Sequence, residues 1–247
     1  MVDRPAHAAA DDNLAPFARR ENGVRRLKGR SPLLDPEDPI PVAPAPDVDP
    51  RVPYHKVKVC VVGDPGVGKT SLVRRYVLGE FPAVRRPTKE MEVSTRGGFV
   101  DLREIGLAIG KRRRHSDGIL PSTARVELMI WDLLGGTLPR KTVVRRHFQG
   151  AQGIIAVCDV TRSETLDHLD EWIEDGYDTA GVVPTQFVAN KTDLEGAVLG
   201  QPDLARAAWS YDSPYLFASA KTGENVEASF QLLAERILLE ILSRRLE

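Results

Sequence analysis

The chain divides where its hydrophobic pattern changes. From Lys56 onward, short apolar runs alternate with segments of helical period. Lys56-Val57-Lys58-Val59-Cys60-Val61-Val62 is rich in β-branched residues and stops at a glycine, which predicts a strand. An amphipathic helix is predicted from about Lys69 to Leu78. Apolar runs at 125–131, 153–158, 184–189 and 214–218 read as further strands. Segments near 163–175, 202–209 and 224–245 carry the helical period. Strands alternating with helices predict an α/β fold, a mainly parallel sheet with helices on both faces and right-handed crossovers.

Residues 1–54 show neither period. They hold more than half of the 18 prolines, with a basic stretch (Arg19, Arg20, Arg25, Arg26, Lys28, Arg30) followed by an acidic, proline-rich one. Too few apolar groups remain there to offset the entropy of ordering the chain. A disordered extension, serving as linker or docking segment, is expected at 1–54, with one folded domain over 55–247.

Composition narrows the picture further. Hydrophobic residues make up 42% of the 247 positions, enough for a substantial core, and the formal net charge of −1 gives no whole-chain field toward nucleic acid or membrane. Cys60 and Cys158 fall inside predicted strands and read as buried thiols in a reducing compartment. No run approaches the roughly 18 apolar residues of a membrane span. The first thirty residues lack a signal-peptide core, and no cysteine stands near Glu247, so C-terminal prenylation is not expected. A cytoplasmic protein is the expectation.

The chemistry lies at the ends of the predicted strands. Gly63-Asp64-Pro65-Gly66-Val67-Gly68-Lys69-Thr70 matches GxxxxGK[ST] between a strand and a helix. Its glycines let successive backbone N–H groups turn toward phosphate oxygens, and the helix N-terminus adds partial positive charge. Lys69 is expected to reach the β- and γ-phosphates, and the Thr70 hydroxyl to ligate Mg²⁺. Asp132 closes the strand that ends in Trp131 and precedes Leu133-Leu134-Gly135, so a parallel sheet would bring it beside the phosphate loop, where it can hold the ion through water. Asn190-Lys191-Thr192-Asp193 follows another strand. A carboxylate there can accept from the ring N–H and exocyclic amine of guanine, a donor pair adenine does not offer. Ser219-Ala220-Lys221 follows the next strand, where a backbone N–H could donate to the guanine carbonyl.

These signatures together resemble the Ras superfamily, and Rab proteins most of all, over about residues 56–245. The matching stretches are GDPGVGKTS at 63–71, WDLLG at 131–135, NKTD at 190–193 and SAKTGENV at 219–226. The resemblance implies a P-loop NTPase fold with a six-stranded, mostly parallel sheet. It also implies a GTP/GDP cycle, two switch segments, protein effectors and an activating protein. It places Asp64 through Ser71, Asp132, Gly135, Asn190, Lys191, Asp193, Ser219, Ala220 and Lys221 at the nucleotide. Thr88, nineteen residues after Lys69, matches the threonine that senses Mg²⁺ and γ-phosphate. Phe81, twelve after Lys69, matches the aromatic that packs against guanine, and core packing alone is the other reading.

Three departures stand out. Gly136 occupies the position where the family has the glutamine that orients the attacking water. Leu133-Leu134 makes the second switch unusually apolar. A long loop over about 103–125 carries Lys111-Arg112-Arg113-Arg114-His115, read as a solvated tip or as a contact for an acidic partner, lipid headgroups or nucleic acid. Arg85 resembles the intrinsic arginine of heterotrimeric G-protein α subunits, with an exposed loop arginine as the alternative. The expected function is a Mg²⁺-dependent GTP switch with slow hydrolysis, in which Lys69, Thr88 and Arg85 carry the chemistry. A GTP-bound adaptor that scarcely hydrolyses is the competing reading, and a nucleic-acid-associated GTPase is a third.

Overall fold

The computed structural model describes residues 52–81, 91–103, 122–133 and 146–245. The extension through Arg51, Arg85, Arg86, Thr88, Gly135, Gly136 and the basic run 111–115 lie outside the described residues.

Along the chain the elements are β1 (Tyr54–Val62), α1 (Lys69–Leu78), β2 (Glu92–Asp101), β3 (Thr123–Asp132) and β4 (Gly153–Asp159). They continue with α2 (Glu164–Asp167), α3 (Leu169–Ala180), β5 (Thr185–Asn190), α4 (Gln201–Trp209), β6 (Tyr215–Ala218) and α5 (Val226–Arg245). The six strands form one sheet in the order β2-β3-β1-β4-β5-β6. Only the β2–β3 pair is antiparallel. The order reverses at β1, which pairs with β3 on one side and β4 on the other. Ligands of open α/β sheets bind at such a reversal, beyond the carboxyl ends of the strands.

Burial follows position in the sheet. The central strands β4 and β5 are buried at every residue, and β3 alternates strictly between buried and half-buried positions. The sheet separates two apolar layers. One joins α1 and α5 to the sheet through Leu72, Val73, Tyr76, Phe230, Leu233 and Ile237. The other seats α3 and α4 through Leu169, Trp172, Ile173 and Leu204. Both cysteines are free and buried, and burial pushes each thiol up to about 12, so they act as core residues.

The structure adds one strand and moves two boundaries. β2 was absent from the periodicity because its sequence, EVSTRGGFVD, carries a glycine pair and only three apolar side chains. As an edge strand it keeps most residues part-exposed, so no alternation is written into it. The helix expected near 163–175 divides into α2 and α3, and α3 continues to Ala180. There Gly181, at φ 81, closes it by donating its N–H to the Tyr177 carbonyl. At the other end, the Pro53 carbonyl accepts from the Arg125 N–H at 2.8 Å. Sheet pairing therefore begins just before residue 54. Removing residues 1–51 is expected to leave the thermal midpoint and nucleotide affinity unchanged, as checked by calorimetry and nucleotide titration of the shortened chain.

Candidate nucleotide site

The loops after β1, β5 and β6 and the carboxyl end of β3 meet at one edge of the sheet. Register aligns them, with Val61 opposite Asp132, Asp159 opposite Asn190, and Asn190 opposite Ala218.

The loop after β1 curls because of its glycines. Gly63 and Gly68 hold φ of 131° and 103°, a region that disfavours any residue with a Cβ. Space demands glycine too. A Cβ on Gly63 would lie 2.1 Å from the Val157 carbonyl oxygen, and one on Gly68 would lie 2.3 Å from Asn190 Nδ2. Pro65 and Gly66 form the exposed crest, and Val67 anchors the loop in the core. α1 begins at Lys69, so its first N–H groups open toward the space the loop encloses.

Lys69 is buried, and its Nζ donates to the carbonyls of Gly63 (2.7 Å) and Asp64 (2.9 Å). Burial pushes its pKa down to about 8, with Asp132 and then Asp64 working the other way. An ammonium held this dry favours an anion at its side. Thr70 Oγ1 donates to Asp132 Oδ2 at 2.5 Å. Asp132 is 1% exposed, and burial raises its pKa to about 6 against the pull of the Thr70 bond and Lys69. Its Oδ1 is buried without a hydrogen-bond partner. A hydroxyl and a desolvated carboxylate beside a phosphate loop are the oxygen donors that suit Mg²⁺. Ser71 follows on α1 and is half-buried.

Asp64 solves a problem of charge, since a carboxylate within an anion-binding loop repels phosphate. Its side chain pairs with α3 and its entry: Oδ2 lies 2.6 Å from His168 Nδ1, and Oδ1 accepts from Trp172 Nε1 at 3.4 Å. Its place at the site is thus through its backbone.

The base motifs are fastened to the phosphate loop. Asn190, 1% exposed, donates from Nδ2 to the Val67 carbonyl (2.9 Å) and accepts at Oδ1 from the Ala220 N–H (3.0 Å). It braces the loop after β1 against the loop after β6. Asp193 Oδ1 accepts from Ser219 Oγ at 2.6 Å, and Lys221 Nζ lies 3.5 Å from Oδ2. Burial works to raise the Asp193 carboxyl. The Ser219 hydroxyl, its own backbone N–H and Lys221 overcome this and hold it below the ordinary range, so it stays an acceptor. In the loop after β6, the N–H groups of Ser219, Ala220, Thr222 and Gly223 are bonded within the protein. Among these described residues, that of Lys221 has no such bond. Phe81 is half-buried and packs against the α1–α5 layer.

Several residues here went unassigned by sequence reasoning. Asp159 ends β4 as Asp132 ends β3, so the same rule points to it. Its Oδ2 accepts from both Lys191 Nζ (2.5 Å) and Arg162 Nε (3.1 Å), and Arg162 Nη2 reaches the Pro65 carbonyl at 3.2 Å. One buried carboxylate thereby links the lysine of the base motif to the crest of the phosphate loop. Arg75 was also missed. Two of its partners are carbonyls 145 and 146 positions along the chain, and no local pattern marks them.

Comparison with known proteins agrees with this geometry. A family model for the Ras family matches residues 58–239. The chain is 33% identical to the Ras-related protein Rab-18 of Caenorhabditis elegans over 192 residues, covering 77% of this chain and 84% of that protein. It is 30% identical to the Ras-related protein Rab-18-B of Danio rerio over 184 residues, 74% of this chain and 79% of that one. With the sheet, the phosphate loop and the base motifs in place, the chain belongs to the Ras family, as a Rab-like small GTPase that binds guanine nucleotide.

Proposed function

We propose that the chain is a Mg²⁺-dependent switch that hydrolyses GTP slowly to GDP and alters its grip on protein effectors through two segments, one around Thr88 and one after Asp132. The observation that carries this reading is the bond from Thr70 to the buried Asp132, with Asp132 Oδ1 unpartnered and the Lys69 ammonium close by. When bound, the ion neutralises charge on the β- and γ-phosphate oxygens. Thr70, Thr88 and Asp132 would hold it. Lys69 exchanges its loop carbonyls for phosphate oxygens. Backbone N–H groups of Asp64 and of Gly66 through Ser71, with that of Gly135, bind the phosphates, while Pro65 shapes the crest of the loop without donating. Asp193 accepts from the guanine ring N–H and amine, the Lys221 N–H donates to its carbonyl, and Lys191 and Phe81 flank the ring.

Gly136 carries no side chain to orient water, which makes intrinsic hydrolysis slow and turnover dependent on an activating protein. The same residue favours the second reading, a GTP-bound adaptor. Nucleotide extracted from the purified protein, followed by single-turnover hydrolysis with and without Mg²⁺, separates the two. A measurable Mg²⁺-dependent rate supports the switch, and none supports the adaptor. Failure to bind guanine nucleotide more tightly with Mg²⁺ would remove both.

Arg85 is the proposed internal source of positive charge for the transferring phosphoryl group. A well-placed arginine is worth about 10³–10⁵ in rate, and without a water-orienting partner Arg85 supplies only part of that. Arg85→Ala is expected to lower the single-turnover rate by at least about tenfold while GTP affinity stays unchanged, the signature of a contact made in the transition state. Arg86→Ala is the control and should change little. An equal rate in both variants would remove Arg85 from the mechanism.

A further inference from the structure

We infer that Arg75, on α1 and away from the recognised motifs, is the positioning residue of the guanine site: it sets the loop whose N–H recognises the guanine carbonyl.

Arg75 stands in the last turn of α1, where the helix dipole favours a cation. Its guanidinium donates to three backbone carbonyls. Nη1 bonds Gly79 at 2.7 Å, Nε bonds Ala220 at 2.9 Å, and Nη2 bonds Lys221. Among the described residues no carboxylate pairs with it, whereas its neighbour Arg74 pairs with Glu80. The fork therefore spans from the end of α1 to residues 145 and 146 positions further along the chain. Gly223, at φ 94°, turns the loop back beside the Arg75 side chain, in a backbone conformation that disfavours any residue with a Cβ.

Among the described residues, the backbone of Lys221 is anchored by Arg75. Lys221 and Thr222 are exposed. Asn190 holds the Ala220 N–H, and Ser219 turns its hydroxyl to Asp193. The two carbonyls held by Arg75 flank the Lys221 N–H: one belongs to the same peptide unit and the other to the same residue. Fixing both carbonyls fixes the direction of that N–H. Arginine suits the task because its planar fork keeps several donors in set geometry, which a lysine cannot do.

This rests on the guanine-site reading above, and the test keeps the two apart. The probes are GDP, inosine diphosphate (which lacks the 2-amine) and 6-thio-GDP, in which sulfur, a poor acceptor, replaces the carbonyl oxygen. The unaltered protein should prefer GDP over inosine diphosphate; no such preference would mean that the guanine-site reading itself is wrong. It should also prefer GDP over 6-thio-GDP by about tenfold, the worth of one hydrogen bond. Arg75→Ala should bring the latter ratio close to one while keeping the preference over inosine diphosphate, because the 2.6 Å bond that holds Asp193 comes from Ser219, which Arg75 does not touch. If Arg75→Ala does not fold, Arg75→Gln, which retains one amide donor group, is read the same way. A parallel loss of GDP and 6-thio-GDP affinity would mean that Arg75 serves only stability. An unchanged ratio would mean that the loop holds itself. Either result overturns the inference.

Discussion

Lys69→Ala is expected to weaken GTP binding by roughly 10³-fold, since removing one partner of a buried charge pair costs about 3–5 kcal/mol and each 1.4 kcal/mol is tenfold. The ammonium is buried, and its present partners are two loop carbonyls. Phosphate oxygens would compensate its charge far better. Without it, the β- and γ-phosphates lose the ammonium that offsets the nearby Asp132 and Asp64 carboxylates. Thr70→Asn tests the ion in the same pocket. It displaces the hydroxyl that bonds Asp132, so nucleotide affinity should become nearly indifferent to Mg²⁺. Isothermal titration of GTP with and without Mg²⁺ measures both variants. Undiminished Mg²⁺-dependent affinity in both would mean that the phosphate site has been assigned to the wrong residues.

Asp193→Asn should invert base preference, from guanine to xanthine. A site built to hydrogen-bond a polar edge rejects the analogue lacking it by about 10⁴–10⁵. In the unaltered protein, Oδ1 is held by Ser219 and Oδ2 has no hydrogen bond of its own. With asparagine, the amide can replace Oδ2 and the Ser219 contact survives. That amide opposes the amine of guanine and donates to the corresponding carbonyl of xanthine. Competition between GTP and XTP for the variant reads the result. Retention of guanine preference would show that Asp193 does not contact the base.

The fold was legible wherever a strand carried a dense run of apolar or β-branched residues. β1, β3, β4, β5 and β6 announce themselves as β-branched or apolar runs, while β2 hides behind Gly97-Gly98 and Arg96 because an edge strand needs no continuous apolar face. The phosphate loop and base motifs were legible for a different reason. Their chemistry requires particular residues at close spacing, as the room around Gly68 shows. What a sequence does not carry is the far end of a long side chain. Arg75, Asp159 and Arg162 act on backbone carbonyls and charges set beside them by the sheet, and His168 meets Asp64 across 104 positions. The residue types at those positions give no hint of the partner.

The Asn190 brace has a consequence for how this molecule is made. The phosphate loop keeps its form beside an amide that lies 123 positions later than Val67. A contact of such separation forms only after the intervening chain has closed. During synthesis, a nascent chain that has exposed β1, α1, β3 and β4 already carries the whole GxxxxGK[ST] motif, but not its brace. Capacity to hold nucleotide therefore arrives late, when β5 and then the loop after β6 emerge and dock. Stalled chains ending near residue 180 and near residue 245 would differ sharply in their retention of labelled GDP, although they share every residue of the phosphate loop.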